Sequence, residues 1–362
     1  MLIVEPVTPV LSRTARPVPV WLIVPRFVSV ALFPEMVTAT VDPLTVSDPV
    51  LFMIRSVCAR NMHCLDDRFM TFLFRRTSFA KSRTEDTPVS NSALLPEMLD
   101  HYRQVEESKR LFGGAGELER VRTQDILSRY LPPAPATVFD IGGAAGVHAL
   151  WLAERGYGVH LFDAVPHHVE QARAASKEQA QHPLVSCSVG DARNIERPDA
   201  SADAILLLGP LYHLIERADR LQALKEAHRL LRPGGRLFAA TVSRFASLLD
   251  GLSRDLVSDP VFVEILEQDL RNGQHRNPTH RPEYFTTTIF HHPDELQQEM
   301  QEAGFQVERL VGIEGPAWFM SSLQSHWQVP QKRQLLLELL RKVEEDRTIL
   351  GVSAHPMGIG RK

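Results

Sequence analysis

The chain is poor in cysteine: Cys58, Cys64 and Cys187 are the only three in 362 residues. Their spacing matches neither a disulfide framework nor a zinc ribbon, so a reducing, cytoplasmic compartment is expected. Cys187 falls in an apolar run and is expected to pack as a core thiol. Long blocks of one charge are missing too. Acidic and basic residues alternate through the second half and the net charge is −4, which argues against a nucleic-acid partner. Nor is there an unbroken apolar run long enough to span a bilayer. The nearest approach, PVPVWLIVPRFVSVALF at 17–33, is interrupted by Pro19, Pro25 and Arg26, and no small-residue cleavage site follows it cleanly. Internal repeats and low-complexity tracts are absent as well. What the chain does hold is apolar residues, 44% of the total, enough for a substantial core.

Residues 1–97 are rich in Pro, Val, Thr, Ser and Arg, without helical periodicity or a regular strand-and-turn pattern. They read as a disordered extension or as the product of an over-long gene model, since Met98 would also serve as a translation start. From Met98 the character changes. MLDHYRQVEESKRLF and GELERVRTQDILSRYL carry apolar residues at helical spacing and predict a helical cap over 98–130. Beyond Pro132 and Pro133, apolar strands at TVFDIG, GVHLFDA, LVSCSVG, ADAILLLG and GRLFAATVS alternate with helices over 147–155, 166–180 and 218–231. That alternation predicts a parallel sheet covered on both faces. An irregular segment over 244–292 reads as a lid, followed by a helix over 293–303, a strand over 306–312, a helix over 331–345 and a strand over 352–360. The expected fold is α/β: a doubly wound, mostly parallel, seven-stranded Rossmann-like sheet filling 98–362, with a helical N-terminal cap and a lid insertion.

The strongest local signal is Val138-Phe139-Asp140-Ile141-Gly142-Gly143-Ala144-Ala145-Gly146, an apolar strand entering a Gly-rich turn and then a helix. Small residues there let a ligand approach the backbone. Alone, such a loop also fits nicotinamide and flavin enzymes. A dinucleotide fingerprint, however, runs G-x-G-x-x-G, and here Val147 holds a position that the fingerprint reserves for a small residue. Asp140 also puts a negative charge where pyrophosphate would lie, which suits a cationic ligand better. Asp163 closes the next strand, where a carboxylate can accept hydrogen bonds from both ribose hydroxyls. Asp191 follows the third strand in Gly190-Asp191-Ala192-Arg193, where its side chain and an adjacent amide could read adenine; a plain turn residue is the equal alternative.

DIGGAAG, LFDA, GDAR, ADAILLLGPLYHL and LRPGGRL, in this order, resemble the successive motifs of class I S-adenosylmethionine-dependent methyltransferases, particularly the ubiquinone and menaquinone biosynthesis group. The match is good over 136–243 and less specific beyond. The resemblance implies S-adenosylmethionine as cofactor, with Asp140, Gly142, Gly143 and Gly146 around its methionine part. It further implies Asp163 at the ribose, Asp191 and Ala192 at the adenine, and Gly209 beside the sulfonium. Ala144 departs from the family, which most often has Gly there, and a slightly altered loop is expected.

Tyr212 and His213 follow the fourth strand and are expected to face the reaction centre. His213 is a candidate general base or a packing residue in the cofactor wall. Methyl transfer needs in-line approach more than proton chemistry, so a base is not obligatory. In the lid, HRNPTHRPEYFTTTIFHH offers histidines without convincing ligand spacing, and no metal is expected. Its aromatics, with Tyr284, Phe285 and His291, are expected to surround the methyl group. The function implied is methyl transfer to a small-molecule oxygen, nitrogen or carbon. The alternatives are an RNA or protein methyltransferase, a non-catalytic cofactor binder, and, more remotely, a nicotinamide-dependent oxidoreductase.

Overall fold

The computed structural model describes residues 21–24, 28–31, 95, 97–98, 107–279 and 281–362. Backbone contacts divide the chain into two units, Met1–Pro88 and Val89–Lys362. In the first, β1 (Trp21–Val24) pairs antiparallel with β2 (Val28–Ala31), a hairpin the sequence pattern did not announce. The rest of the stretch read as an extension lies almost wholly outside the described residues, as do Cys58 and Cys64.

The second unit begins, in its described part, at Leu95; Met98 is fully buried, and a single turn, Glu107–Arg110, and helix α1 (Gly114–Tyr130) follow. Helix α1 lies where the cap sequence placed its second helix; most of the first lies outside the described residues. There follow β3 (Thr137–Ile141), α2 (Val147–Ala153), β4 (Gly158–Asp163), α3 (Pro166–Glu178), β5 (Ser186–Val189), β6 (Ala202–Leu207), the single turn α4 (Pro210–His213), α5 (Arg217–Leu230) and β7 (Leu231–Ala240). After the insertion come α8 (Pro293–Glu302), β11 (Gln306–Gly312) and β12 (Pro356–Arg361), the labels between being those of the insertion below. The sheet order is β11-β12-β7-β6-β3-β4-β5. Only β12 runs against its neighbours, wedged between β7 and β11. This is the doubly wound, mostly parallel seven-stranded fold expected from the sequence.

Period-two alternation sorts the core. Phe139, Ile141, Ile205 and Leu237 face α5 and α8, while Val138, Val159, Leu161, Ala204 and Leu206 face α1, α2 and α3. Because both faces are covered, the central strands β3, β4 and β6 are mostly apolar, which is why they stood out in the sequence, whereas β5 and β11 at the sheet edges carry polar and exposed residues. Asp140 and Asp163 interrupt that pattern at the strand ends that open on the cleft.

The segment over 244–292 is not irregular. It holds α6 (Ala246–Ser253), α7 (Pro260–Asn272), β9 (Gln274–His275) and β10 (Thr288–His291), and with β8 (Val242–Ser243), just before it, the strands form a small sheet ordered β8-β10-β9. Helix α7 carries ordinary boundary signals that the sequence reading passed over. Asp259 accepts from the Val261 amide, Pro260 opens the helix, and Gly273 at φ 75° closes it.

Candidate active site

The turn after β3 is built by small residues because nothing larger fits. A Cβ on Gly142 would lie 2.5 Å from the Pro210 ring, and one on Gly143 would lie 2.7 Å from Asp140 Oδ2. Gly142 also sits at φ 77°. Ala144 occupies the left-handed region at φ 47°, where a Cβ is strained, and its amide donates to Asp163 Oδ2 at 2.8 Å. The expected alteration of the loop is thus a strained backbone held by a hydrogen bond. Gly146, at φ 88°, caps α2, and its open side faces Leu161 and Ala172. It is absent from the cleft wall: its part is the close packing of helix on sheet.

Asp140 is 2% exposed, and burial, then the nearby Asp163, push its pKa up to about 7. A carboxylate in that state favours a cationic ligand, which would restore its charge. Asp163 already holds two amides, that of Ala144 on Oδ2 and that of Val165 on Oδ1, with His168 Nδ1 at 3.2 Å. It therefore stitches the Gly-rich loop to β4, and its remaining lone pairs are what a ribose can use. Burial would raise Asp191, but Arg193 holds it low, gripping the carboxylate with its backbone amide at 2.9 Å and its guanidinium at 2.7 Å. An adenine amino group would share that carboxylate with Arg193.

These groups converge on a cleft at the ends of β3, β4, β5 and β6, the ligand-binding location usual for such sheets. Every residue the sequence assigned to the cofactor lines it except Gly146, and Tyr212 and His213 line it too. A second cavity is walled by Phe262, Tyr284, Phe285, Phe290 and Trp318, and shares Tyr212 and Arg110 with the first. Thr288 Oγ1 donates to the Tyr212 carbonyl, so the inserted sheet and α4 hold the junction together.

His291 does not join the other aromatics. It is 1% exposed in β10, beside Glu299 at 3.4 Å, and burial lowers its pKa. Its neighbours in sequence do structural work: His275 bridges the Asp269 carboxylate (2.9 Å) and the Tyr284 carbonyl (2.6 Å), and His292 caps α8, while His280 lies outside the described residues. Cys187 is a free, half-buried thiol in β5 whose pKa burial raises.

The sequence reading missed a charged group between the two cavities. Arg110 grips Glu119 at 2.5 and 3.1 Å, and His355 Nδ1 lies 2.6 Å from Glu314 Oε1. Burial opposes the charge on Glu119, yet Arg110 and His355 hold it at about 2. Burial likewise opposes the charge on His355, but Glu314 and Glu119 carry it up to about 9. His148, on the cofactor side, is lowered to about 4 by burial, against the pull of Glu119, and stays neutral. Glu119, Glu314 and His355 bring one polar atom each within 4.8 Å. Arg110 and charged His355 already balance the two carboxylates, which leaves no excess negative charge to attract a cation. Glu119 was legible only as one more polar residue of α1, and Glu314 and His355 sit in no motif.

A buried carboxylate, a glycine-rich turn and a second strand-end Asp gather at the open edge of a doubly wound sheet, which defines a class: an α/β protein with a ligand cleft at its strand ends. Residues 138–235 match the methyltransferase domain family. Over 177 residues, 48% of this chain and 70% of the relative, the sequence is 32% identical to a demethylmenaquinone methyltransferase of Deinococcus radiodurans. It is 35% identical over 130 residues, 35% of this chain, to an uncharacterised methyltransferase of Mycobacterium tuberculosis, and spans about half (49%) of that relative's length. A solved S-adenosylmethionine-dependent methyltransferase from Methanosarcina mazei is 19% identical and aligns over 66% of this chain and 96% of its own, with a TM-score of 0.46. The chain belongs to the S-adenosylmethionine-dependent methyltransferases.

Proposed function

We propose that this chain transfers a methyl group from S-adenosylmethionine, held in the first cleft, to a small molecule held in the second cavity. The observation that carries this reading is the junction: Tyr212 and Arg110 line both spaces, so a methyl group at the end of one opens on the other. Asp140 and the Gly142–Gly143 turn would take the methionine end, Asp163 the ribose, and Asp191 with Ala192 the adenine. Tyr212 and His213, whose rings lie 4.6 Å apart, would wall the methyl group. Displacement at the methyl carbon is in line, and holding both partners in place supplies most of the rate. The aromatic wall keeps water out, where it would otherwise screen the sulfonium.

The scarcity of cysteine supports a cytoplasmic location; no described helix is long and apolar enough to cross a membrane. The catalytic unit is taken to start before Glu97, whose carbonyl accepts from Thr286 Oγ1, and to need none of residues 1–88. A screen of small metabolites with methyl-labelled S-adenosylmethionine tests the reading. Label appearing in a small molecule supports it; label appearing only in RNA or protein, or in nothing while the cofactor binds, would replace it with one of the alternatives.

A further inference from the structure

The second cavity has one polar feature that its aromatic wall does not explain. His355 lines it from the residue just before β12, and Glu314, 1% exposed, stands behind the ring. Glu314 accepts three hydrogen bonds: from Ser353 Oγ at 2.8 Å, from the His355 amide at 3.0 Å and from His355 Nδ1 at 2.6 Å. Ser353, itself fully buried, accepts from the amides of Glu314 and Gly315, both at 3.1 Å. A buried carboxylate this fully satisfied is rigid, and it fixes both the orientation and the charge of the imidazole in front of it. His355 Nε2 makes no hydrogen bond to any described residue. The other cations on the cavity wall are engaged with carboxylates, Arg110 with Glu119 and Arg254 with Asp250 at 2.8 Å.

We propose that His355, positioned by Glu314, is the acceptor-binding residue of this site, and that it selects acceptors carrying an acidic oxygen on a planar, apolar frame. This rests on the methyl-transfer reading above, since it assigns the second cavity to the acceptor. The aromatic wall takes the frame and Nε2 donates to the oxygen. The acceptor gives its proton to water on binding and lies in the cavity as the anion. An oxygen lone pair then forms the bond to the methyl carbon while the carbon–sulfur bond breaks and its electron pair stays on sulfur. The products are a neutral methyl ether and a neutral thioether, so no proton has to be removed during the step. The groups that set the charge at His355 are Glu314 and Glu119, favouring it, and Arg110, opposing it. Around the cavity, Asp250 pairs with Arg254, His275 with Asp269, and Tyr284 with Asp259, and Glu283 and Tyr212 complete the titratable wall. Below about 9 the imidazolium is present, so anion binding should persist across neutral pH and fail above it.

The test uses the full chain saturated with S-adenosylhomocysteine and 4-nitrophenol as probe, because ionised nitrophenol is read directly by its absorbance. The bound probe should ionise about one pH unit or more below the free probe. His355→Asn keeps a donor for Glu314 but removes Nε2 and the charge; His355→Gln keeps a neutral donor near Nε2. Both should abolish the shift and weaken binding of the ionised probe about tenfold or more, with S-adenosylhomocysteine affinity retained. Glu314→Gln should reduce the shift without abolishing probe binding, the behaviour of a positioning residue. Failure of the wild-type chain to bind the probe, an unshifted ionisation, or an undiminished shift in either folded His355 variant would overturn the proposal. S-adenosylhomocysteine titration of the same samples reports separately on the cofactor site, so its failure would fall on the methyl-transfer reading instead.

Discussion

The two cavities meet at Tyr212 and Arg110, yet they are built differently. The cofactor cleft takes most of its wall from one continuous stretch, 140–214, where successive strand ends and the turns after them deliver residues to the same edge. The second cavity draws on Arg110, on α6, α7 and the turn before β10, and on Trp318 and His355 near the C-terminus. A ligand common to a whole family can be met by a fixed succession of strand ends. The partner that differs from member to member is met by insertions and arms, whose packing is free to vary.

That difference can be broken by mutation, and the largest effect is expected at Asp163. Asp163→Ala should weaken S-adenosylhomocysteine binding at least tenfold, roughly 1.5–3 kcal/mol for charge-assisted hydrogen bonds. It should also lower the melting temperature of the empty protein, because the carboxylate holds the Ala144 and Val165 amides. Calorimetry and thermal unfolding together check both effects. An intact affinity in a folded variant would mean that β4 does not present this residue to the cofactor.

In the second cavity the split should run the other way. Phe285→Ala should cut turnover of an identified acceptor about tenfold or more, the scale of a lost apolar side chain, and leave S-adenosylhomocysteine affinity unchanged. Equal losses in both measurements would erase the division between the two cavities. His213 lines the cofactor cleft, so His213→Ala should alter methyl transfer strongly, by about a hundredfold, only if a proton is removed there.

The pH dependence sharpens the comparison within the cofactor cleft. Asp140 lies at about 7 in the folded chain against an ordinary value of 3.8, so between those values the folded chain holds a proton that the unfolded chain has lost. The stability of the empty protein should therefore fall as pH rises through that window, and Asp140→Asn should remove the slope. Affinity for S-adenosylmethionine should run oppositely, dropping up to about tenfold per pH unit below 7 and levelling above it, because the cation needs the ionised carboxylate. A flat affinity between pH 5.5 and 8 would separate Asp140 from the charged part of the cofactor.

The smallest expected effect is at Ala144, at φ 47°. Ala144→Gly should stabilise the protein by about 0.5–1 kcal/mol, relief of the left-handed strain outweighing the added freedom of the unfolded chain. Chemical denaturation reads it, and a loss of stability would show that the loop tolerates the Cβ without strain.

The same contrast explains what could be read in advance. The central sheet strands and the helices between them were legible because burial on both faces leaves apolar runs broken by Gly and Pro. The cleft was legible because its carboxylates interrupt those runs at strand ends, as Asp140 and Asp163 do. Gly146 was misplaced because a loop pattern does not say which glycine meets the ligand and which meets a helix; its contacts with Leu161 and Ala172 decide that. The insertion read as irregular because the strands of its small sheet hold only two to four residues, too few to show a period, and because the boundary signals of α7 were passed over. His291 was misassigned by proximity in sequence to Tyr284 and Phe285, whereas β10 turns it toward Glu299. Glu314 and His355 could not be found at all: they are 41 residues apart and meet only because β12 inserts between β7 and β11.

The central claim is that the strand-end cleft is shaped for a nucleoside with a cationic methionine tail and not for a dinucleotide. Titration calorimetry of the full chain with S-adenosylhomocysteine and, separately, with NAD addresses it most directly. The account predicts saturable binding of S-adenosylhomocysteine, lost or weakened at least tenfold in Asp163→Ala, and no binding of NAD. Tight NAD binding with none of S-adenosylhomocysteine would contradict it.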